Sequence, residues 1–292
     1  MLKEKIGEVT EMVSDMMGNG YKVEVRSITK SNGMVLDAIT ILKHGNNVSP
    51  AIYLNNYYGD SEAIAAGIVR EYKEKMQMLG TGRMDSINKG YILDKVNYQM
   101  IGLEANKDYL KRCPHRVLLD MAVIYRVVID HNEDSDTSFV LNDSNMKSMG
   151  ITFEELDAAA MKHITEASLV FENLNHMAAT LLASKKKKTA EDCIVEEGKA
   201  YVVTKYDFSY GAGLLMHKRL FEKMAERAGT DLLVLPSSIH DLIVLRDDES
   251  LETKDLRDMV TKINCNVVSS QESVLTNNVY RYVKETGEFE IA

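Results

Sequence analysis

The last third of the chain alternates short apolar segments of two periodicities, separated by turn residues. The stretches LLVLPSS at 232–238 and HDLIVL at 240–245 are nearly continuous apolar runs, which is typical of buried strands. Residues 217–228 instead space their apolar side chains three and four positions apart, and Gly229 follows them, which predicts a helix. This alternation predicts an α+β fold, with mixed or antiparallel sheets and helices packed on one face.

The first eighty residues follow the same scheme. Apolar residues recur with helical spacing over 2–16 and again over 61–79. Between these helices, Asn32-Gly33 is a strong signal for a tight turn between two strands. A third strand is predicted at 51–54.

The middle of the chain gives weaker patterns. Residues 86–112 are predicted to be helical, and the β-branched stretch 117–130 is predicted to be a buried strand entered by a short helix. Thr152 and Glu155 have the spacing of a capping box, which predicts that a helix begins there. The sequence GAGLLM at 211–216 is interpreted as a further strand.

The length of 292 residues favours two domains over one. Residues 167–200 have the weakest pattern, and their SKKKKTAED run is typical of an exposed connection. We therefore expect an N-terminal α+β domain at 1–184, a lysine-rich connection at 185–199 and a C-terminal α+β domain at 200–292.

The charge balance restricts the partners. Because the net charge is −9 and basic residues are not concentrated on a long segment, non-specific binding of nucleic acid is not expected. No apolar run approaches the length of a membrane span, so no membrane contact is expected. Three well-separated cysteines fit a reducing compartment, which predicts a cytoplasmic protein; they are Cys113, Cys193 and Cys265.

Residues 237–241 place serine, histidine and aspartate within a few positions. Ser237 or Ser238 with His240 suggests a serine nucleophile and its base, which would make the chain a hydrolase or a nucleotide-processing enzyme. However, Asp241 points away from His240 in a strand, and no G-x-S-x-G elbow is present. We therefore interpret Ser237, Ser238 and His240 as a turn between two strands and as candidate binding residues, and assign no catalytic residue.

The stretch VYRYV near the C-terminus offers a second candidate binding surface. Tyr280 and Tyr282 share one face of the predicted strand and Arg281 lies on the other, an arrangement that suits stacking on a ligand or an amphipathic edge strand. No metal site is predicted, because the acidic loop at 130–136 lacks the glycine and glutamate of a calcium loop. The sequence has no phosphate-binding glycine motif, so no cofactor is predicted.

Several motifs in order along the chain match one family. They are NGMVLDAITI, NVSPAIYLNNYY, CPHRVLLDMAVIYRVVID, YGAGLLM, LLVLPSSIHDLIVL and NNVYRYVKETGEFEI. On these motifs the chain resembles domain-of-unknown-function family 5688, an uncharacterised family of gut clostridia, their phages and mobile elements. The resemblance implies an α+β fold without a membrane-spanning part, and it implies no activity or catalytic residue.

The absence of a specific catalytic or cofactor motif favours a binding protein. We expect a non-enzymatic regulatory protein that acts through protein–protein contacts, for which the 17 methionines and 14 tyrosines supply adaptable surface. The phage or mobile-element origin implied by the resemblance makes inhibition of a host defence system one form of this function. The alternatives are the hydrolase with Ser238 and His240, and a sensor of a small ligand.

Overall fold

The structure is a computed structural model, in which the chain divides into two compact units. The first unit comprises Met1–Tyr91 and Ile129–Thr137, and the second comprises Ile92–Val128 and Ser138–Ala292. The residues that the structure describes are 2–45, 49–79, 87–131, 136–175, 187–236, 238–248, 252–266 and 274–292.

This division does not follow the expected connection at 185–199. Strand β8 (Leu169–Asn173) and strand β9 (Ala200–Lys205) flank that segment and pair antiparallel in one sheet. A segment that joins two paired strands is a connection inside a unit, so the described part of the lysine-rich segment belongs to the second unit.

The first unit is a three-stranded antiparallel sheet covered by two helices. Its elements are α1 (Leu2–Met17), β1 (Tyr21–Thr29), β2 (Val35–Lys43), β3 (Ala51–Tyr53) and α2 (Ser61–Leu79). The strand order is β1-β2-β3, and both helices pack on the same face. Their shared core contains Val9, Val13, Ile39, Ile41, Ile52, Ile64, Ile68 and Tyr72. The helices and strands predicted for this region are confirmed.

The turn between β1 and β2 shows why its sequence is a strong signal. Asn32 and Gly33 have φ angles of 59° and 69°, in the left-handed region that asparagine and glycine occupy at the lowest cost. The chain reverses there, and residues from Thr29 and Val35 onwards pair along the whole length of both strands.

Residues 89–140 build a second sheet around one long strand. The elements are α3 (Lys89–Lys95), β4 (Val96–Gly102), α4 (Lys107–Leu110), β5 (His115–Leu118), β6 (Met121–His131) and β7 (Asp136–Val140). Strand β6 is central: β4 pairs on one side, and β5 and β7 also pair with it. The helical prediction for 86–112 is thus wrong at β4, where burial on both faces removes the alternation expected of a strand.

The predicted strand at 117–130 is two strands instead of one. Residues 117 and 118 end β5, and a turn with Leu119 at a φ of 56° separates it from β6. The entry is therefore a β-hairpin and not the predicted short helix. The next strand along the chain, β7, also pairs with β6.

Two capped helices follow this sheet, α5 (Asp143–Met149) and α6 (Phe153–Glu166). The capping box of Thr152 and Glu155 at the start of α6 is confirmed. Helix α6 packs on β4, and its Asp157 carboxylate accepts hydrogen bonds from Tyr98 and Tyr125 at 2.6 and 2.8 Å. Burial and these bonds to an anion raise the pKa of both phenols, so the hydroxyls remain donors.

The rest of the chain forms an antiparallel six-stranded sheet in the order β13-β12-β10-β11-β9-β8. Its further elements are α7 (Lys218–Ala228), β10 (Leu232–Pro236), β11 (Leu242–Arg246), α8 (Thr253–Asn266), β12 (Tyr280–Val283) and β13 (Glu288–Ile291). Helix α8 packs on the face of Leu233 and Leu235, whereas Phe221 of α7 contacts Tyr282 on the opposite face. Helices therefore cover both faces of this sheet, whereas the sequence predicted helices on one face only. None of the described helices is long and apolar enough to cross a membrane.

The segment GAGLLM is a 3-10 helix at Gly211–Met216, so its interpretation as a strand is wrong. The reason is a close approach of backbones that only glycine permits. A Cβ atom at Gly211 would lie 2.2 Å from the carbonyl oxygen of His240 and 2.2 Å from Thr204 Oγ1. The tight helix brings Gly211 against these two residues, which lie next to β11 and in β9.

His217, which immediately precedes α7, gives the second unit a predicted sensitivity to acid. The side chain is buried, and its Nδ1 has no hydrogen-bond partner within the described residues. Burial and the nearby Arg219 lower the pKa of His217 below 6.5, so the unfolded chain binds a proton that the folded chain excludes. The stability that the neutral, buried His217 contributes is present above the pKa that this histidine has in the unfolded chain. It is lost as the pH falls below that value.

We therefore expect the melting temperature to fall from about pH 7 to about pH 5 and this fall to be smaller in His217→Gln, which cannot be protonated. Thermal unfolding followed by circular dichroism measures it. The exposed His44→Gln is the control and keeps the wild-type slope. Equal slopes in all three proteins would contradict the assignment.

Candidate functional site

The candidate site lies in the second unit, where the chain leaves β9. Two residues that are not glycine, Phe208 and Tyr210, have φ angles of 58° and 52° in this segment. Such conformations cost on the order of 1–3 kcal/mol each and occur preferentially at functional sites. Ser209 between them is buried, and its backbone N–H donates to Asp207 Oδ1 at 3.0 Å. The strained segment is thus held in place by the residues around it.

Ser238 and His240 bond to the backbone in this region. Ser238 Oγ accepts the backbone N–H of His240 at 2.9 Å, and His240 Nδ1 accepts the backbone N–H of Tyr210 at 3.4 Å. The carbonyl oxygen of His240 accepts from Thr204 Oγ1 at 2.6 Å. Within the part of the chain that the structure describes, Ser238 and His240 share no side-chain hydrogen bond. Ser237 lies outside the described residues.

Arg126 is the most distinctive residue of the site. It lies in β6 opposite Asn97 of β4, and its guanidinium is held on three sides. Nε donates to Gln99 Oε1 at 2.6 Å, Nη1 donates to Ser138 Oγ at 2.8 Å, and the group lies 5.0 Å from the centre of the Tyr210 ring. Among the described residues, no carboxylate pairs with Arg126, and Nη2 has no partner.

A second cation lies beside Asn97. The Lys205 side chain is only 5 % exposed, and Nζ donates to Asn97 Oδ1 at 3.2 Å and to Asp207 Oδ2 at 3.3 Å. We name the group of Asn97, Gln99, Arg126, Ser138, Lys205, Asp207, Tyr210 and His240 the Arg126 cluster. Its two cations and one carboxylate give a formal charge of +1 in a chain whose net charge is −9.

The Arg126 cluster has the properties of an anion-binding site. The guanidinium is already oriented, so little side-chain entropy is lost when an acidic group binds at Nη2. The buried Tyr210 ring supports the guanidinium from one side, and the partly exposed His240 ring lies with its centre 5.5 Å from the Tyr210 ring.

The residues of VYRYV lie elsewhere in the same unit. Tyr280 and Tyr282 are 0 % and 2 % exposed, so neither ring is open to a ligand from solvent. Arg281 pairs with Asp247 at 2.6 Å and with Glu290 at 3.0 Å, which raises its pKa. Strand β12 lies between β10 and β13, so the prediction of an edge strand is wrong.

Sequence reasoning missed Arg126 and Lys205 as site residues. The signal was present in both cases: a charged residue interrupts or ends an apolar strand, in AVIYRVVI and in YVVTK. A charge in such a strand needs a polar partner when it is buried. Only the fold shows which groups these partners are: Gln99 and Ser138 for Arg126, and Asn97 and Asp207 for Lys205.

Replacement of Gly211 tests the close approach that positions Tyr210. We expect Gly211→Ala to lower the free energy of unfolding by at least about 2 kcal/mol, because the methyl group overlaps two oxygen-bearing groups. Urea unfolding measures the change. Gly7→Ala is the control: it lies in α1 with no atom within 4 Å of the added carbon, so it stabilises or is neutral. A harmless Gly211→Ala would show that the contact is not required.

Comparison with known proteins identifies a family. A model for a family of unknown function, DUF5688, matches residues 3–284. No curated protein and no solved structure matches the chain. Because the family model spans nearly the whole chain, the protein belongs to DUF5688, a family of unknown function.

Proposed function

We propose that the chain is a non-enzymatic binding protein that regulates a partner protein by direct contact, and that the Arg126 cluster receives an acidic group of that partner. The observation that carries the proposal is the orientation of Arg126 without a carboxylate partner among the described residues. The bonds of Ser238 and His240 to the backbone favour binding over bond cleavage at this site.

The acidic group of the partner protein lies on a part of the partner's surface that carries few other negative charges. A net charge of −9 repels polyanions at long range, whereas a single carboxylate gains a charge-assisted hydrogen bond at Nη2. Such bonds contribute about 1.5–3 kcal/mol. The cluster therefore suits one acidic side chain or a chain terminus better than a nucleic acid.

The cellular setting is part of the proposal. Cys113, Cys193 and Cys265 are free thiols, which is compatible with a reducing compartment such as the cytoplasm. A phage or mobile-element protein that inhibits a host defence protein would be one form of this function.

A second candidate function is a sensor of a small ligand. The His240 ring, which is partly exposed and lies beside Tyr210, favours it, because a small aromatic anion would contact this ring and the Arg126 guanidinium. In this case the acidic group belongs to the ligand, and the partner protein responds to the bound form.

The test is affinity capture of the tagged full-length chain from its native host, with mass spectrometry of the proteins that co-elute. For wild type we expect a stoichiometric partner, and for Arg126→Gln an affinity about 10- to 100-fold lower, because the guanidinium supplies the charge-assisted bond. The affinity is measured by titration of the purified partner.

The control is Arg219→Gln, an arginine of helix α7 that lies outside the Arg126 cluster and whose side chain is 72 % exposed. It keeps the wild-type affinity. Equal binding by Arg126→Gln and wild type would contradict the role of the cluster. A small anion bound to purified wild type in native mass spectrometry, without a partner, would favour the sensor.

A further inference from the structure

Strand β1 leaves one side of its sheet open. The order in the first unit is β1-β2-β3, and within the described residues no strand pairs with the outer side of β1. This edge is nine residues long, Tyr21–Thr29, and Val25 at its centre is 38 % exposed. A long exposed edge presents unpaired backbone groups that can pair with another strand.

Two hydrogen bonds establish which backbone groups point outward. Lys30 N–H donates to the Met34 carbonyl at 2.7 Å, and His44 N–H donates to the Gly20 carbonyl at 2.9 Å. Both bonds involve an even-numbered residue on the β1 side. Because bonding alternates along an antiparallel pair, the even-numbered residues of β1 bond to β2. The N–H and C=O groups of odd-numbered residues such as Val25 therefore face the open edge.

The charges on this edge match a second copy of the same strand. Glu24 lies between Lys22 and Arg26, with which it pairs at 2.5 and 2.8 Å, and both basic side chains are 61 % exposed. In an antiparallel pair centred on Val25, Glu24 of each copy lies opposite Arg26 of the other. Symmetry makes this contact twice.

The neighbouring registers are disfavoured. Odd-numbered residues must lie opposite odd-numbered residues for the two backbones to bond. One strand can therefore shift along the other only by two residues at a time, which moves the centre of the pair by one residue. One such step centres the pair on Glu24 and places two carboxylates opposite each other, and the other centres it on Arg26 and places two guanidinium groups together. The register centred on Val25 also uses all nine residues of β1.

We propose that β1 pairs antiparallel with β1 of a second copy of this chain, centred on Val25, and joins two three-stranded sheets into one of six strands. This inference is independent of the Arg126 cluster. The contact of one strand pair is smaller than a standard interface of about 1,600 Å². We therefore expect a dimer that dissociates in the range of about 1–100 μM.

Charge exchange tests the register. Sedimentation equilibrium of the full-length chain from about 1 to 500 μM measures the dissociation constant. Glu24→Arg and Arg26→Glu each place like charges across the pair, and we expect each to raise the constant at least about tenfold. The double variant restores opposite charges, so its constant returns to within about threefold of wild type. Lys43→Glu, on β2, is the control and leaves it unchanged.

A backbone variant tests the edge itself. Val25→Pro removes an N–H that faces the open edge and leaves the bonds to β2 intact, so the variant folds, as checked by circular dichroism, and stays monomeric. A wild-type chain that is monomeric throughout the range would overturn the proposal. So would a dimer that survives Val25→Pro, or single charge variants that dimerise as well as the double variant.

Discussion

The approach of Gly211 to the carbonyl oxygen of His240 is the contact on which the site depends. It brings the start of the 3-10 helix against the turn before β11, directly after Tyr210, whose backbone has a left-handed conformation. The ring of Tyr210 then lies under the Arg126 guanidinium. A larger residue at position 211 would move the Tyr210 ring away from the Arg126 guanidinium, although Arg126 itself lies on another sheet.

The opposite face of that sheet makes the arrangement rigid. Tyr98 and Tyr125 both donate to Asp157 of α6, and Arg116 pairs with the second oxygen of the same carboxylate. Because β4 and β6 are held from this side, Arg126 is oriented by its strands as well as by its own partners. An oriented cation of this kind loses less entropy on binding than a surface arginine.

Elements whose signals are local could be predicted from the sequence. The helix at 61–79, the capping box of Thr152 and the turn at Asn32-Gly33 are each specified by neighbouring residues, and all are present. Strand β4 and the 3-10 helix at Gly211–Met216 were mispredicted, because burial on two faces and a backbone contact with a distant residue determine them. The Arg126 cluster was missed for the same reason: its residues come from four separate parts of the chain.

Strand β6 carries two kinds of chemistry in adjacent positions. Tyr125 points into the interface with α6, while Arg126 points to the other side. A shift of β6 by one residue would therefore exchange them: the guanidinium would enter an interior built for phenols, and the binding face would lose its charge. The protein is thus intolerant of a single-residue insertion or deletion in this strand, since the same event destroys the core and the site together.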